Sequence, residues 1–230
     1  MAQELEEMPL FPLNTVLFPY ASVRLHVFED RYRELVRDCL AFDRPFGIVL
    51  IRSGPEVGGP AEPYLVGTAV RIQKVHTYDD GRMDIQVLGE RRFRIRSLDD
   101  TRPYLVGFVE PVIEHGIEES EEADEVLSRA RDDFELFIQR KFAAQDFAVQ
   151  VVFPPEPLAL SFTIANFLEM ESLDKQRLLE TTDTIERMQD LLPILEQQLI
   201  NAEQDFIESQ PPPHYYKLSG DDLSEWVWPN

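Results

Sequence analysis

The residue types that carry out chemistry are sparse in this chain and stand far apart. Four histidines, His26, His76, His115 and His214, are separated by dozens of residues. No H-E-x-x-H spacing places two imidazoles on one helix face, so no metal site is expected. The single cysteine, Cys39, has no second thiol with which to form a disulfide. No G-x-x-x-x-G-K-[ST] run is present to cradle a triphosphate, and no serine stands in a nucleophile motif beside a base. No catalytic residue, cofactor or metal ligand is assigned.

Three constellations remain. Arg92, Arg94 and Arg96 alternate, with Arg91 beside them, and form the only basic cluster. Alternation puts three guanidiniums on one strand face, but no aromatics interleave to stack bases. A solvated face paired with the acidic second half is expected, with an RNA-facing patch as the alternative. The second constellation is Leu10, Phe11, Leu13, Val16, Leu17 and Phe18, interrupted by Pro9, Pro12 and Pro19. Prolines exclude a helix and favour a kinked extended edge strand. These side chains are expected in the core, with a minority, Phe11 and Phe18 among the candidates, edging a groove for peptide. The third is a tail in which Pro211-Pro212-Pro213 leads to Trp226 and Trp228, the only tryptophans. An amphipathic terminal stretch of this kind docks on its own body or anchors a partner, and the sequence leaves both open.

The elements that must position these groups follow from periodicity. Val23, Leu25 and Val27 alternate with Arg24 and His26 as in a half-buried strand. A helix over 29–41 follows, with Tyr32, Leu35, Val36, Cys39 and Leu40 on its apolar face and Glu29 four residues before Arg33. Residues 46–51 read as a buried strand and 53–63 as a loop. The Asp-Gly pair in Asp79-Asp80-Gly81-Arg82 signals a hairpin. Residues 83–96 alternate, and 105–113 closes the β-rich part. Beyond residue 114 the period becomes helical: Val126, Ala130, Phe134, Phe137 and Ile138, then 158–169, then 173–180. Asp183 begins a capping-box spacing ahead of a seam through Ile185, Met188, Leu192, Leu195, Leu199, Ala202 and Phe206. About three heptads suffice for an antiparallel helix pair, and Pro193 should kink that helix.

Charge is divided unequally. Residues 1–113 carry 14 Lys+Arg against 17 Asp+Glu, a net of −3, while 114–230 carry 8 against 26, a net of −18. So acidic a second half repels phosphate backbones and anionic membranes, which disfavours both as partners and favours basic ones. At 43% hydrophobic and 28% charged, the chain can bury a core. Residues 1–7 lack the apolar region of a secretory signal, and no window approaches eighteen apolar residues. A cytoplasmic location is expected.

The segments Met8 to Pro19 and Val27 to Val36 resemble the opening of the Lon protease N-terminal domain. The resemblance continues through Gly67-Thr68-Ala69, Asp80-Gly81-Arg82, Gly89 to Ile95, Pro103-Tyr104-Leu105 and Lys175 to Glu180, covering residues 8–207. It implies an α+β fold: a PUA-like β pseudo-barrel with one short helix over 8–113 and a helical subdomain over 114–208; residues 209–230 read as a Pro-rich spacer and tail without a counterpart in that family. It also implies a substrate-recognition module without chemistry of its own, acting as an adaptor or holdase linked to proteolysis. Its partners would be unfolded or specific client polypeptides, and a protease. The clients would lie in an apolar groove between barrel and helices.

Overall fold

The computed structural model describes residues 5–118, 120–143 and 153–209. Seven strands come first: β1 (Glu6–Leu13), β2 (Ser22–Val27), β3 (Phe46–Ser53), β4 (Glu62–Pro63), β5 (Val66–Thr77), β6 (Met83–Asp99) and β7 (Val106–Pro111). Helix α1 (Asp30–Ala41) interrupts them after β2. Four helices follow: α2 (Glu121–Ala143), α3 (Pro157–Phe167), α4 (Ser172–Glu180) and α5 (Thr184–Ser209).

Five strands close into a ring in the order β1-β7-β6-β5-β3, and a parallel pairing of β1 with β3 completes it. The proline-interrupted strand is therefore not an edge. Glu6 to Pro9 pair antiparallel with β7, and Leu10 to Leu13 pair parallel with β3. The strand changes partner at Pro9 and Leu10, so each half needs backbone donors toward mainly one neighbour, which lets proline enter a ring strand. The predicted loop over 53–63 includes β4, paired with Ile51 and Ser53 of β3. The hairpin signal is realised. Gly81 takes a φ of 82°, and the Tyr78 N–H donates to the Arg82 carbonyl across the turn.

The ring encloses Met8, Leu10, Val49, Ala69, Phe93, Ile95 and Val109. Phe93 fills its centre, and a Cβ at Gly47 or Gly67 would collide with that ring. Helix α1 buries Tyr32, Leu35, Val36 and Cys39 against β2, β3 and β6. Leu40 falls outside this seam and is exposed. Burial pushes the Cys39 thiol up to about 11, Asp38 adding to it and Arg44 opposing. The thiol form is favoured in the folded chain below the unfolded value, and that preference is lost as pH rises through about 11. Cys39 is expected to resist alkylation at pH 8 until denaturant is added; rapid native labelling measured by mass would contradict its burial.

The helical half has one core. Phe134, Phe137, Leu160, Phe162, Ile164, Met188, Leu191 and Leu195 join Phe18, Leu50 and Val66 from the barrel. Asp183 caps α5, its Oδ1 accepting from the backbone N–H of Ile185 at 2.8 Å and of Glu186 at 3.0 Å. Pro193 stands on the exposed side of α5, whose helical assignment continues across it. Helices α2 and α5 are parallel rather than antiparallel. Arg129 meets Glu196 and Arg140 meets Glu203, so both chains advance in one direction. The intervening segment contains α3 and α4, long enough to return the chain to the starting end.

Candidate functional site

The arginine strand does not form one solvated face. Arg92 is 4% exposed and points into the junction between barrel and helices. Its guanidinium pairs with Glu114 and donates to the carbonyls of Leu179 and Thr181. From the other side Arg187, 0% exposed, pairs with the same carboxylate at 3.0 Å. It also donates to Ser161 Oγ and to the carbonyls of Leu178 and Thr181. The Phe162 ring lies 4.2 Å from the Arg187 guanidinium carbon and 5.2 Å from that of Arg92. Two cations thus share one carboxylate, and the excess charge sits at the C-terminal carbonyls of α4, the negative end of that helix. Burial, then the neighbouring Arg187, pushes Arg92 down to about 9, and burial pushes Arg187 down to about 10. Both remain cations at neutral pH.

This arrangement holds two halves together and fills the place where a groove was expected. Phe18 is packed there too, its ring 5.9 Å from Phe162. Arg94 is half-buried, Arg96 pairs with Glu110 and Arg91 with Glu6. Trp226 and Trp228 lie outside the described residues. Sequence reading missed Glu114 and Arg187. The signal for Arg187 was its spacing, since Thr184, Met188 and Leu191 place it on the buried face of α5.

The open surface lies at the other end of the barrel, around Tyr32. The Phe11 and Tyr32 rings stack at 4.0 Å, forming the floor of a cleft of ≈ 240 Å³. Leu13, Leu25, Phe28 and Val57 wall it, with Phe28 47% and Val57 56% exposed. A wider cleft of ≈ 700 Å³ lies on the other side of Tyr32, lined by Pro12, Arg31, Leu98, Arg102, Tyr104 and Leu105 among others. Burial pushes the Tyr32 phenol up to about 12 against the pull of Arg31, so the floor stays neutral.

The loop before β4 is tied down between the two clefts. Arg31 Nη1 donates to the Gly59 carbonyl at 2.8 Å, and the Gly58 N–H donates to Glu29 Oε2 at 3.1 Å. Asn14 Nδ2 donates to Glu56 Oε2 at 2.8 Å. Glu29 therefore pairs with Arg31 at 3.0 Å, and Arg33 pairs with Asp30 instead of with Glu29. Anchoring at both ends holds Val57 outward without ordering cost at the moment of binding.

Beside this surface, His26 Nδ1 lies 2.6 Å from Asp84 Oδ1, and the Tyr78 hydroxyl donates to Oδ2 at 2.6 Å. The Tyr78 and His26 bonds hold the Asp84 carboxyl below its usual range. Ser22, on the same strand as His26, accepts from Gln86 Nε2 at 3.1 Å rather than from the imidazole. Among the described residues no three His, Cys, Asp or Glu side chains converge as metal ligands would, and no helix is long and apolar enough to cross a membrane. The barrel end offers apolar contact, backbone hydrogen bonding and the charged side chains of Arg24, Glu29 and Glu56.

Comparison with known proteins agrees with this architecture. The family model described as the ATP-dependent protease La (LON) substrate-binding domain matches residues 7–197. Lon protease of Syntrophus aciditrophicus is 30% identical over 200 residues, 84% of this chain and 25% of that protein. Lon protease 1 of Thermus thermophilus is 28% identical, over 86% of this chain and 26% of that protein. The chain thus spans about a quarter of the length of the Lon proteases it matches. The crystal structure of a Lon N-terminal domain protein from Xanthomonas campestris superposes with a TM-score of 0.58 at 29% identity, covering 82% of this chain and 98% of that one. The N-terminal domain of Mycobacterium avium complex Lon protease has a TM-score of 0.64 at 21% identity over 83% and 98% of the two chains, a likeness of fold. With a mixed fold of strands then helices, and a family match over most of its length, the chain belongs to the Lon substrate-binding domain family.

Proposed function

We propose that this chain is a polypeptide-recognition module with a PUA-like barrel, that it has no chemistry of its own, and that it serves proteolysis as an adaptor or holdase. The observation that carries this reading is the apolar cleft over the Phe11–Tyr32 stack, where two large side chains, Phe28 and Val57, are held half-exposed beside it. Hydrophobic side chains kept outward by a tethered loop mark an interaction surface more than a packing remnant. Family membership supports the same class of ligand. The RNA alternative draws no support from the arginine strand, because Arg92 is buried and Arg91 and Arg96 are paired.

The test is fluorescence anisotropy with a labelled, reduced and unfolded polypeptide. Val57→Asp puts a charge on the cleft wall and is expected to weaken binding by about tenfold, the equivalent of 1.4 kcal/mol. The melting temperature should not move, because Val57 is a loop side chain facing solvent. Unchanged affinity in a folded Val57→Asp protein would refute the placement of the site.

A further inference from the structure

Strand β2 is bonded on one side only. Residues Ser22 to Val27 pair antiparallel with Leu88 to Met83 of β6, and among the described residues no backbone group takes the other edge. The strand carries no proline and no bulge on its pairing with β6, two of the devices by which exposed edges are usually blunted. The apolar cleft lies beside this strand, with Leu25 as one wall and Phe28 just past its end. Arg24 and His26, which alternate with Leu25 along the strand, also line the cleft, as do Glu29 and Glu56, the first paired with Arg31 and the second bonded to Asn14. Cross-strand registers align Arg24 with Gln86 and Lys74, and His26 with Asp84 and His76. Asp84, in the same cross-strand row, is already bonded to Tyr78 and His26.

We infer that an extended polypeptide segment adds to the free edge of β2 as a further strand, placing an apolar side chain in the cleft and an acidic one beside Arg24. The inference rests on the proposed recognition function and specifies its client: a β-strand-forming segment in which a large apolar residue is flanked by Asp or Glu. A strand laid 4.7–4.9 Å from β2 alternates its side chains between the two faces. One residue therefore faces the Phe11–Tyr32 floor while its neighbours lie beside Arg24 and His26. Backbone bonds supply sequence-independent affinity and the cleft supplies selection, the division of labour in β-augmentation. The acidic helical half does not oppose this, since at physiological salt its field is screened beyond about 8 Å. Strand β5 has no partner past Val70 on its β3 side among the described residues, but the cleft there, shared with Arg24, Leu25 and His26 of β2 and lined by Lys74, Val75, His76, Asp84, Ile85 and Gln86, has no aromatic floor.

The probe is a labelled Ser/Thr-rich peptide with one phenylalanine between two glutamates, added to the full chain. Two variants of it carry N-methyl groups on alternate amides, each set blocking one edge of the incoming strand. Methylation in one register should weaken binding at least tenfold and in the other less than twofold. Amides of residues 22–27 should gain protection from hydrogen exchange when the peptide binds. Equal tolerance of both registers, with binding still sensitive to Val57→Asp, overturns strand addition and leaves the cleft reading standing. No binding of the peptide or of unfolded polypeptide overturns both. Protection of residues 22–27 without peptide, rising with protein concentration as a dimer forms, assigns the edge to a second copy and overturns the client. Replacement of both peptide glutamates by lysine should weaken binding; equal affinity removes the acidic part of the inference.

Discussion

Glu114→Ala should lower the unfolding free energy by about 3–5 kcal/mol, the usual result of breaking a buried ion pair from one side. For a chain of this size that corresponds to a fall in melting temperature of roughly 10 °C. The effect is large because one carboxylate answers two cations: Arg92 from β6 and Arg187 from α5. Without it, both guanidiniums remain buried against the Phe162 ring with only carbonyls and a hydroxyl to receive their donors. The reverse experiment separates stability from specificity. Replacing all three groups together, Arg92→Met, Glu114→Leu and Arg187→Met, removes every buried charge of the cluster and should be neutral or stabilising. Thermal unfolding of the two proteins decides it, and a Glu114→Ala protein that melts with the parent would show that the cluster contributes little.

Phe134→Ala should cost about 3–5 kcal/mol, because its ring is fully enclosed and its removal leaves a cavity in the helical core. Phe134 is 1% exposed and touches the Phe153 ring at 5.2 Å, Phe167 at 5.6 Å and Phe137 at 6.3 Å. Loss of one ring therefore loosens the contact of α2 with α3 and with the segment leading into α3. Phe42→Ala is the matching control. That ring is 73% exposed after α1, and its removal should stay within about 0.5 kcal/mol. Urea midpoints at constant slope measure both; equal effects at the two positions would contradict the assignment of α2 to the core.

Local pattern and long-range pairing were legible to different degrees. Alternation through β6, the Asp-Gly turn, the cap at Asp183 and the burial of Phe134 and Phe137 depend on residues a few positions apart, so the sequence displays them directly. The place of β1 depends on strands 37 and 97 positions away in register, Leu10 with Gly47 and Pro9 with Val106. Prolines alone suggested an edge because the change of partner within one strand leaves no local trace. The parallel course of α2 and α5 was hidden for the same reason, being set by the two helices between them. At the candidate site, Phe11 was visible as a large apolar residue in an extended segment. Its partners were not, because Tyr32 reads as helix core and Val57 as a lone apolar residue in a Gly- and Pro-rich loop. Arg92 was misread as solvated because alternation assigns a face, and the helices that cover that face, α3 to α5, begin about 65 residues later.

The closure of the ring through β1 also sets an order of events during synthesis. β1 is made first, yet its partners are Gly47 to Leu50 and Val106 to Val109. At about 5–20 residues per second, the ribosome takes roughly 5–20 s to deliver β7 after β1 has emerged. For that interval the Glu6–Pro9 half of β1 lacks its β7 partner, while Leu10 to Leu13 can already pair with β3. The barrel therefore closes only after residue 111 clears the exit tunnel.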